Sequence, residues 1–223
     1  MRCLSIIVGL TASACVSASY NQVMYDVEVI NLTYLQPLSP VVVVVHSKEI
    51  SIFEEGGVAS SQLKILAEDG DAAPLLDLLE MEEVQEYVCG VSFSAAPIFP
   101  GESFNETIYI ETSGECEMPY VSSASMLINT NDAFMGIESQ PLPPKYGVWY
   151  PPAYDAGTEL NNEDCSFIPG PGCADISSEN MRTDEGEGFI HIHRGMQDVT
   201  TDLPAASYDW RNGVAKVSLT AMY

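Results

Sequence analysis

Basic residues are scarce. The 223-residue sequence holds 8 Lys and Arg against 32 Asp and Glu, for a formal net charge of −24. A surface so acidic repels polyanions, which argues against nucleic-acid binding and against unassisted docking on anionic membrane. It reads first as a means of solubility in a saline, cation-rich medium. Long apolar runs are also scarce. Past the first residues no stretch reaches the eighteen or so apolar residues of a membrane span, and the longest run, residues 40–45, is strand-sized. Catalytic signatures are missing too: there is no GxSxG elbow, no HExxH, no phosphate-binding loop and no GxGxxG after a strand. A carboxylate pair for glycoside hydrolysis could be drawn from so many acids only arbitrarily. The expectation is a protein that is not an enzyme.

The N-terminus begins with Met1 and Arg2, continues through the apolar run LSIIVGLTASACV and reaches the small residues VSA at 16–18. That order is a secretory signal peptide, residues 1–18, cleaved after Ala18 or Ser19 to leave one domain over residues 19–223. The expected location is extracellular. Cleavage removes Cys3 and Cys15, leaving Cys89, Cys116, Cys165 and Cys173, an even number in an oxidising compartment, so two disulfides are expected. Four cysteines allow three pairings. Cys165 with Cys173 would close a short loop, SFIPGPG, and Cys89 with Cys116 would clip neighbouring strands. A zinc site is the rival use of four cysteines, but no CxxC spacing supports it. Two glycosylation sequons start at Asn31 and Asn105.

Strand signals dominate the remainder of the chain. Tyr25, Val27 and Val29 alternate with Asp26 and Glu28, a period of two with one face buried. Residues 41–45 have no polar face and should lie inside a sheet covered on both sides. Ala215, Val217, Leu219 and Ala221 alternate with polar residues, predicting a half-buried C-terminal strand. Further strands are expected at residues 86–93, 105–111, 125–129, 147–151 and 189–193. One stretch is clearly helical: Ser60 or Ser61 caps a helix with Leu63, Ile65 and Leu66 facing inward, and Gly70 ends it. A shorter helix is expected over residues 73–81 with Pro74 in its first turn. Many short strands with Gly- and Pro-bearing turns predict a mainly β fold, an antiparallel β-sandwich with one or two short helices. The long segment 151–185 reads mostly as loop, held by the Cys165–Cys173 clip and by an ion.

Two polar turns, TNDAFMG at 130–136 and AYDAGTE at 153–159, each follow an expected strand. They place Asp132 in the first turn and Asp155 and Glu159 in the second. If the turns meet, three carboxylates converge, and like charges in contact repel unless a cation lies between them. Calcium accepts six to eight oxygens in forgiving geometry, so three carboxylates, turn carbonyls and water would complete its shell. The bland alternative is that Asp and Asn are simply good turn residues.

The blocks TNDAFMGIES, YDAGTE and EGFIHIHRG, with AEDGDAAPL and NLTYLQPLSP upstream, resemble the spondin N-terminal domain family, the type found at the amino termini of F-spondin and mindin. The resemblance runs from about Val27 to Leu219. It implies a C2-like antiparallel sandwich with calcium at one end, its ligands falling on Asp132, Asp155 and Glu159. Animal members carry Asp where this chain has Glu159, whose longer arm can still reach. It also implies a role in extracellular matrix or cell adhesion, with an unidentified extracellular protein or glycan as partner.

His191 and His193 lie two apart on an expected strand, hence on one face, and His46 is the third histidine. The resemblance places the pair near the calcium end, as residues that orient ligands. The competing reading is a secreted enzyme or redox protein in which His191 and His193 hold a transition metal. A third is a structural cell-wall or envelope component whose acidic surface binds cations diffusely. Tyr146, Trp149, Tyr150 and Tyr154 either form a binding face or belong to the core with their polar tips at its rim.

Overall fold

The computed structural model describes residues 22–222 except 178, 180, 184 and 212. The expected signal peptide, residues 1–18, lies outside the described residues. Among the described residues ten strands form two antiparallel sheets, so the fold is mainly β. In the four-stranded sheet, β1 (Gln22–Asn31) lies between β4 (Ser103–Glu111) and β10 (Ala215–Met222), with β7 (Tyr146–Trp149) outside β10. The six-stranded sheet runs in the order β3 (Val88–Phe93), β2 (Val42–His46), β5 (Tyr120–Met126), β6 (Ala133–Pro141), β8 (Ala153–Asp155) and β9 (His191–Ile192).

Alternation sets the faces of the first sheet. Tyr25, Val27 and Val29 of β1 point inward with Ile108 and Ile110 of β4 and Val217 and Leu219 of β10. They meet Val43, Val45, Val121, Met135 and Ile137 of the second sheet in the main core. The C-terminal strand, paired with β1 and β7, is internal to its sheet.

The second sheet is covered on both faces, which explains the valine run. Val43 and Val45 enter the sandwich core, whereas Val42 and Val44 face a second core with Leu63, Leu66 and Ala67 of α1 (Ser61–Asp69) and Leu75 and Leu79 of α2 (Ala73–Glu80). Ser60 caps α1 by accepting the Leu63 N–H at 3.1 Å. Gly70, at φ 68°, closes the helix by donating to the Leu66 carbonyl. This is the left-handed C-cap that the sequence predicts. Two single-turn helices, α3 (Glu82–Gln85) and α4 (Ala205–Tyr208), complete the helices, so there are four short ones among the described residues.

The turn expected at 130–136 is shorter than its composition suggests. β6 begins already at Ala133, because Phe134 packs on the helical side and Ala133 and Met135 on the sandwich side. The expected strand over 125–129 likewise stops at Met126, and that over 147–151 at Trp149. Residues 153–155, expected as turn, form β8. The strand expected at 189–193 is reduced to the two residues of β9. Three serines of β5, Ser122, Ser123 and Ser125, are buried in mid-sheet, with Ser122 and Ser125 hydrogen-bonded there.

The long loop is organised by a third, small core of Cys165, Ile168, Cys173, Met196 and Leu203. Buried Glu163 adds a clamp, its carboxylate accepting the backbone N–H groups of Gln197 and Val199. Two disulfides join Cys89 to Cys116 and Cys165 to Cys173, with Cα separations of 5.6 and 5.1 Å. The first ties β3, an edge of one sheet, to the segment following β4, an edge of the other.

Loop-closure entropy makes the two bridges unequal. Replacing Cys89 and Cys116 by Ser should cost about 3.6 kcal/mol, and replacing Cys165 and Cys173 about 2.5 kcal/mol, given the separations of 27 and 8 residues. Urea denaturation of the two double variants checks both the size and the order.

Candidate metal centre at the end of the six-stranded sheet

Pairing of β6 with β8 sets Ala133 opposite Asp155, and the Ala156 N–H donates to the Asp132 carbonyl at 3.2 Å. The two acidic turns therefore meet at one end of the sheet. The second turn reverses at Gly157, where φ is 67° and a Cβ would lie 2.4 Å from the Phe189 carbonyl oxygen. Only glycine serves at such a point. This close approach, with Gly188 N–H donating to the Gly157 carbonyl, lays residues 186–190 along the turn.

All three expected ligands are buried. Asp132 Oδ2 accepts the N–H of Thr158 at 2.7 Å, the N–H of Glu159 at 3.1 Å and the Thr158 hydroxyl at 3.2 Å. Asp155 Oδ1 accepts the Gly157 N–H at 2.8 Å, and its Oδ2 accepts Nδ2 of Asn161 at 2.6 Å. Glu159 Oε1 accepts the Thr183 N–H at 3.2 Å. Asp132 Oδ1 and Glu159 Oε2 are buried with no hydrogen-bond partner among the described residues.

Burial, followed by the charge of Asp155, raises the Asp132 carboxyl above its ordinary range against the hydrogen bonds from Thr158 and Glu159. Burial pushes Glu159 up to about 7, opposed by the Thr183 N–H and reinforced by the charges of Glu68 and Asp132. Glu68 itself lies 3.6 Å from Lys64 Nζ and 3.7 Å from Arg182 Nε, so that carboxylate already has cations. The Asp132–Glu159 turn is a place where negative charge is buried with an incomplete set of donors.

The two histidines of β9 and its flank face Asp155 in different states. Nδ1 of His191 lies 3.1 Å from the Ile192 carbonyl, which can only accept, so Nδ1 carries the proton. The Nε2 lone pair is then free, 3.9 Å from Asp155 Oδ1. His193 is the reverse. Its Nδ1 accepts the Gly195 N–H at 3.0 Å, which leaves Nε2–H to donate to Asn161 Oδ1 at 3.1 Å. Asn161 in turn donates to Asp155, so His193 orients the aspartate through the amide. Burial holds His193 below the usual histidine range, although Asp155 pulls the other way.

Asp155, Glu187 and His191 each offer a ligand atom, and these atoms all lie within 4.8 Å of one another. Asp132 and Glu159 fall outside that group. Glu187 opens the EGFIHIHRG block, yet nothing in EGEGF separates it from Glu185 as a ligand; its place directly before the histidine strand is its one signal. His46 is elsewhere. It pairs across to Tyr120, at the far end of the sheet, donating from Nδ1 to the Ser47 carbonyl and accepting at Nε2 from Ser122.

The aromatic residues do not form one face. Tyr154 stacks on Phe134 and lies tilted against Phe53 in the helical-side core, and Trp149 packs against the sandwich core. Only Tyr146 and Tyr150 of the four are exposed. The sequons differ as well. Asn105 is exposed on edge strand β4. Asn31 is fully buried, with Nδ2 donating to the Gln36 and Ile98 carbonyls at 2.8 Å each. A glycan on Asn31 would displace both bonds.

An antiparallel sandwich with acidic turns gathered at one end is the class of small β module that the fold and site define. The family described as Spondin_N matches residues 31–160, more than half of the sequence, and the chain belongs to it. The match takes in Asp132, Asp155 and Glu159; Glu187, His191 and His193 lie beyond it. A comparison with curated proteins finds no match. The family is one of extracellular modules, and the two disulfides fit an oxidising setting. Among the described residues no helix is long and apolar enough to cross a membrane.

Buried His46 gives an acid-side test that is independent of the carboxylates. Burial lowers its pKa, opposed by backbone hydrogen bonds at Ser47 and Ile50. The folded state therefore binds fewer protons than the unfolded one, and this stability, present above about pH 6.5, is lost as pH falls below it. His46→Gln should flatten the fall in stability between about pH 7 and 5, by at most about 1.4 kcal/mol per pH unit. Urea titrations across that range measure it.

Proposed function

We propose that this protein is a secreted calcium-binding spondin-type module that acts in extracellular binding or adhesion and not as a catalyst. The observation that carries the reading is the pair of orphaned carboxylate oxygens, Asp132 Oδ1 and Glu159 Oε2. A buried carboxylate oxygen without a donor is costly, and a hard cation with flexible coordination is the natural remedy. Asp132, Asp155 and Glu159 would hold calcium, with turn carbonyls and water completing the shell. The ion would fasten the DAGTE turn to the β5–β6 connection and so make that end of the sandwich rigid enough to present a surface. Its stabilisation at 100-fold saturation is about 2.7 kcal/mol. The partner, an extracellular protein or a glycan, would meet an acidic surface on which Tyr146 and Tyr150 stand exposed.

Asp132→Asn separates a defined site from diffuse binding by an acidic envelope component. The asparagine keeps an acceptor for the Thr158 and Glu159 amides while removing the charge. In chelator near pH 8 the variant should melt no lower than the wild type. Millimolar calcium should raise the wild-type midpoint by several degrees and leave that of the variant unchanged. Equal calcium responses in both proteins would overturn the reading.

A further inference from the structure

We infer that Asp155, Glu187 and His191 form a second divalent-cation site, suited to a borderline transition metal such as zinc, beside the proposed calcium position. Three observations converge on it. The ligand atoms already lie within 4.8 Å of one another, from β8, β9 and the irregular segment 186–190 that Gly157 admits. The His191 tautomer is the one a metal requires: Nδ1–H is engaged by the Ile192 carbonyl, and Nε2 presents its lone pair toward Asp155. A cavity of about 240 Å³, lined by Asp155, Asn161, Glu187, His191 and His193, adjoins the cluster and leaves room for water in the remaining coordination positions.

The donor set decides the metal. Calcium takes oxygen ligands, whereas one imidazole nitrogen with two carboxylates suits zinc and its neighbours. Tetrahedral zinc with bonds of about 2.0–2.1 Å holds its donors about 3.4 Å apart. The 3.9 Å between His191 Nε2 and Asp155 Oδ1 closes to this with a small side-chain adjustment. Asp155 needs no reorganisation, because Gly157 N–H and Asn161 Nδ2 already fix its oxygens, and His193 holds Asn161. His193 is a positioning residue: its Nδ1 lone pair is taken by the Gly195 amide and its Nε2–H by Asn161.

The inference does not rest on calcium binding, and the two can fail separately. Zinc chloride is titrated calorimetrically into the tag-free chain as secreted, without residues 1–18, after chelator treatment, alongside His191→Gln, Glu187→Gln and Asp132→Asn. The wild type should bind one equivalent of zinc. His191→Gln and Glu187→Gln should each weaken binding at least about tenfold, and Asp132→Asn should retain it. Glu187 is exposed and His191 partly so, and unchanged melting midpoints in chelator will show that both variants fold. Zinc binding by His191→Gln as tight as that of the wild type, or no saturable binding by the wild type, overturns the site. A calcium-dependent rise in melting midpoint that survives in His191→Gln and disappears in Asp132→Asn assigns calcium to the other position, whatever the zinc result.

Discussion

One backbone pairing governs the acidic end of this protein. With Ala133 opposite Asp155, the residue preceding β6 and the last residue of β8 must share a corner of the sheet, and their side chains have no solvent to escape into. Desolvated carboxylates of like charge raise one another's proton affinity unless donors or a cation intervene. The chain supplies part of the remedy. The amides of residues 157–159, splayed by the left-handed Gly157, point at Asp132 and Asp155 as a small anion-binding turn. They satisfy one oxygen of Asp132 and leave the other unmatched, and the same holds for Glu159 with its single amide from Thr183. The geometry is that of a turn built around charge it does not itself neutralise.

The rest of the architecture serves to hold that corner. The six-stranded sheet is clamped between the sandwich core and the helical layer, so residues 133–137 of β6, next to the acids, are buried on both faces. The loop beyond Glu159 then returns with its own core beneath the Cys165–Cys173 bridge and with Glu163 gripping residues 197 and 199. That return carries residues 186–193 back across the DAGTE turn. Glu187 and two imidazoles thus collect around Asp155 although they come from separated stretches of sequence.

Asp155 stands where the two candidate cation positions would join. Its two oxygens are oriented from different sides, one by the Gly157 amide and one by Asn161, and its neighbours differ in kind. Toward Asp132 and Glu159 the donors are oxygens only, the chemistry of a hard ion. Toward Glu187 and His191 a nitrogen joins them, the chemistry of a softer one. Two histidines two residues apart take opposite tautomers because one meets a carbonyl and the other an amide N–H. Side-chain identity alone would have made them equivalent.

Much of the fold was legible. Alternation in residues 25–29 and 215–221 pointed to two paired strands, the unbroken valines to a doubly covered one, and Ser60 with Gly70 bounded the first helix, because each signal is local and acts through backbone geometry. The acidic turns and the cysteine count were equally readable, and the disulfides pair within the alternatives that spacing allows. The sequence could not show that TNDAFMG is half strand, since its apolar letters are sorted between two cores that exist only after the helices pack. Nor could it single out Glu187, bury Asn31 or divide the roles of His191 and His193. Those outcomes depend on which backbone groups arrive beside each side chain. Local pattern therefore determined the strands, the caps and the gathering of acid at the turns, while long-range pairing decided which acids meet, which oxygen stays unpartnered and which nitrogen keeps its lone pair.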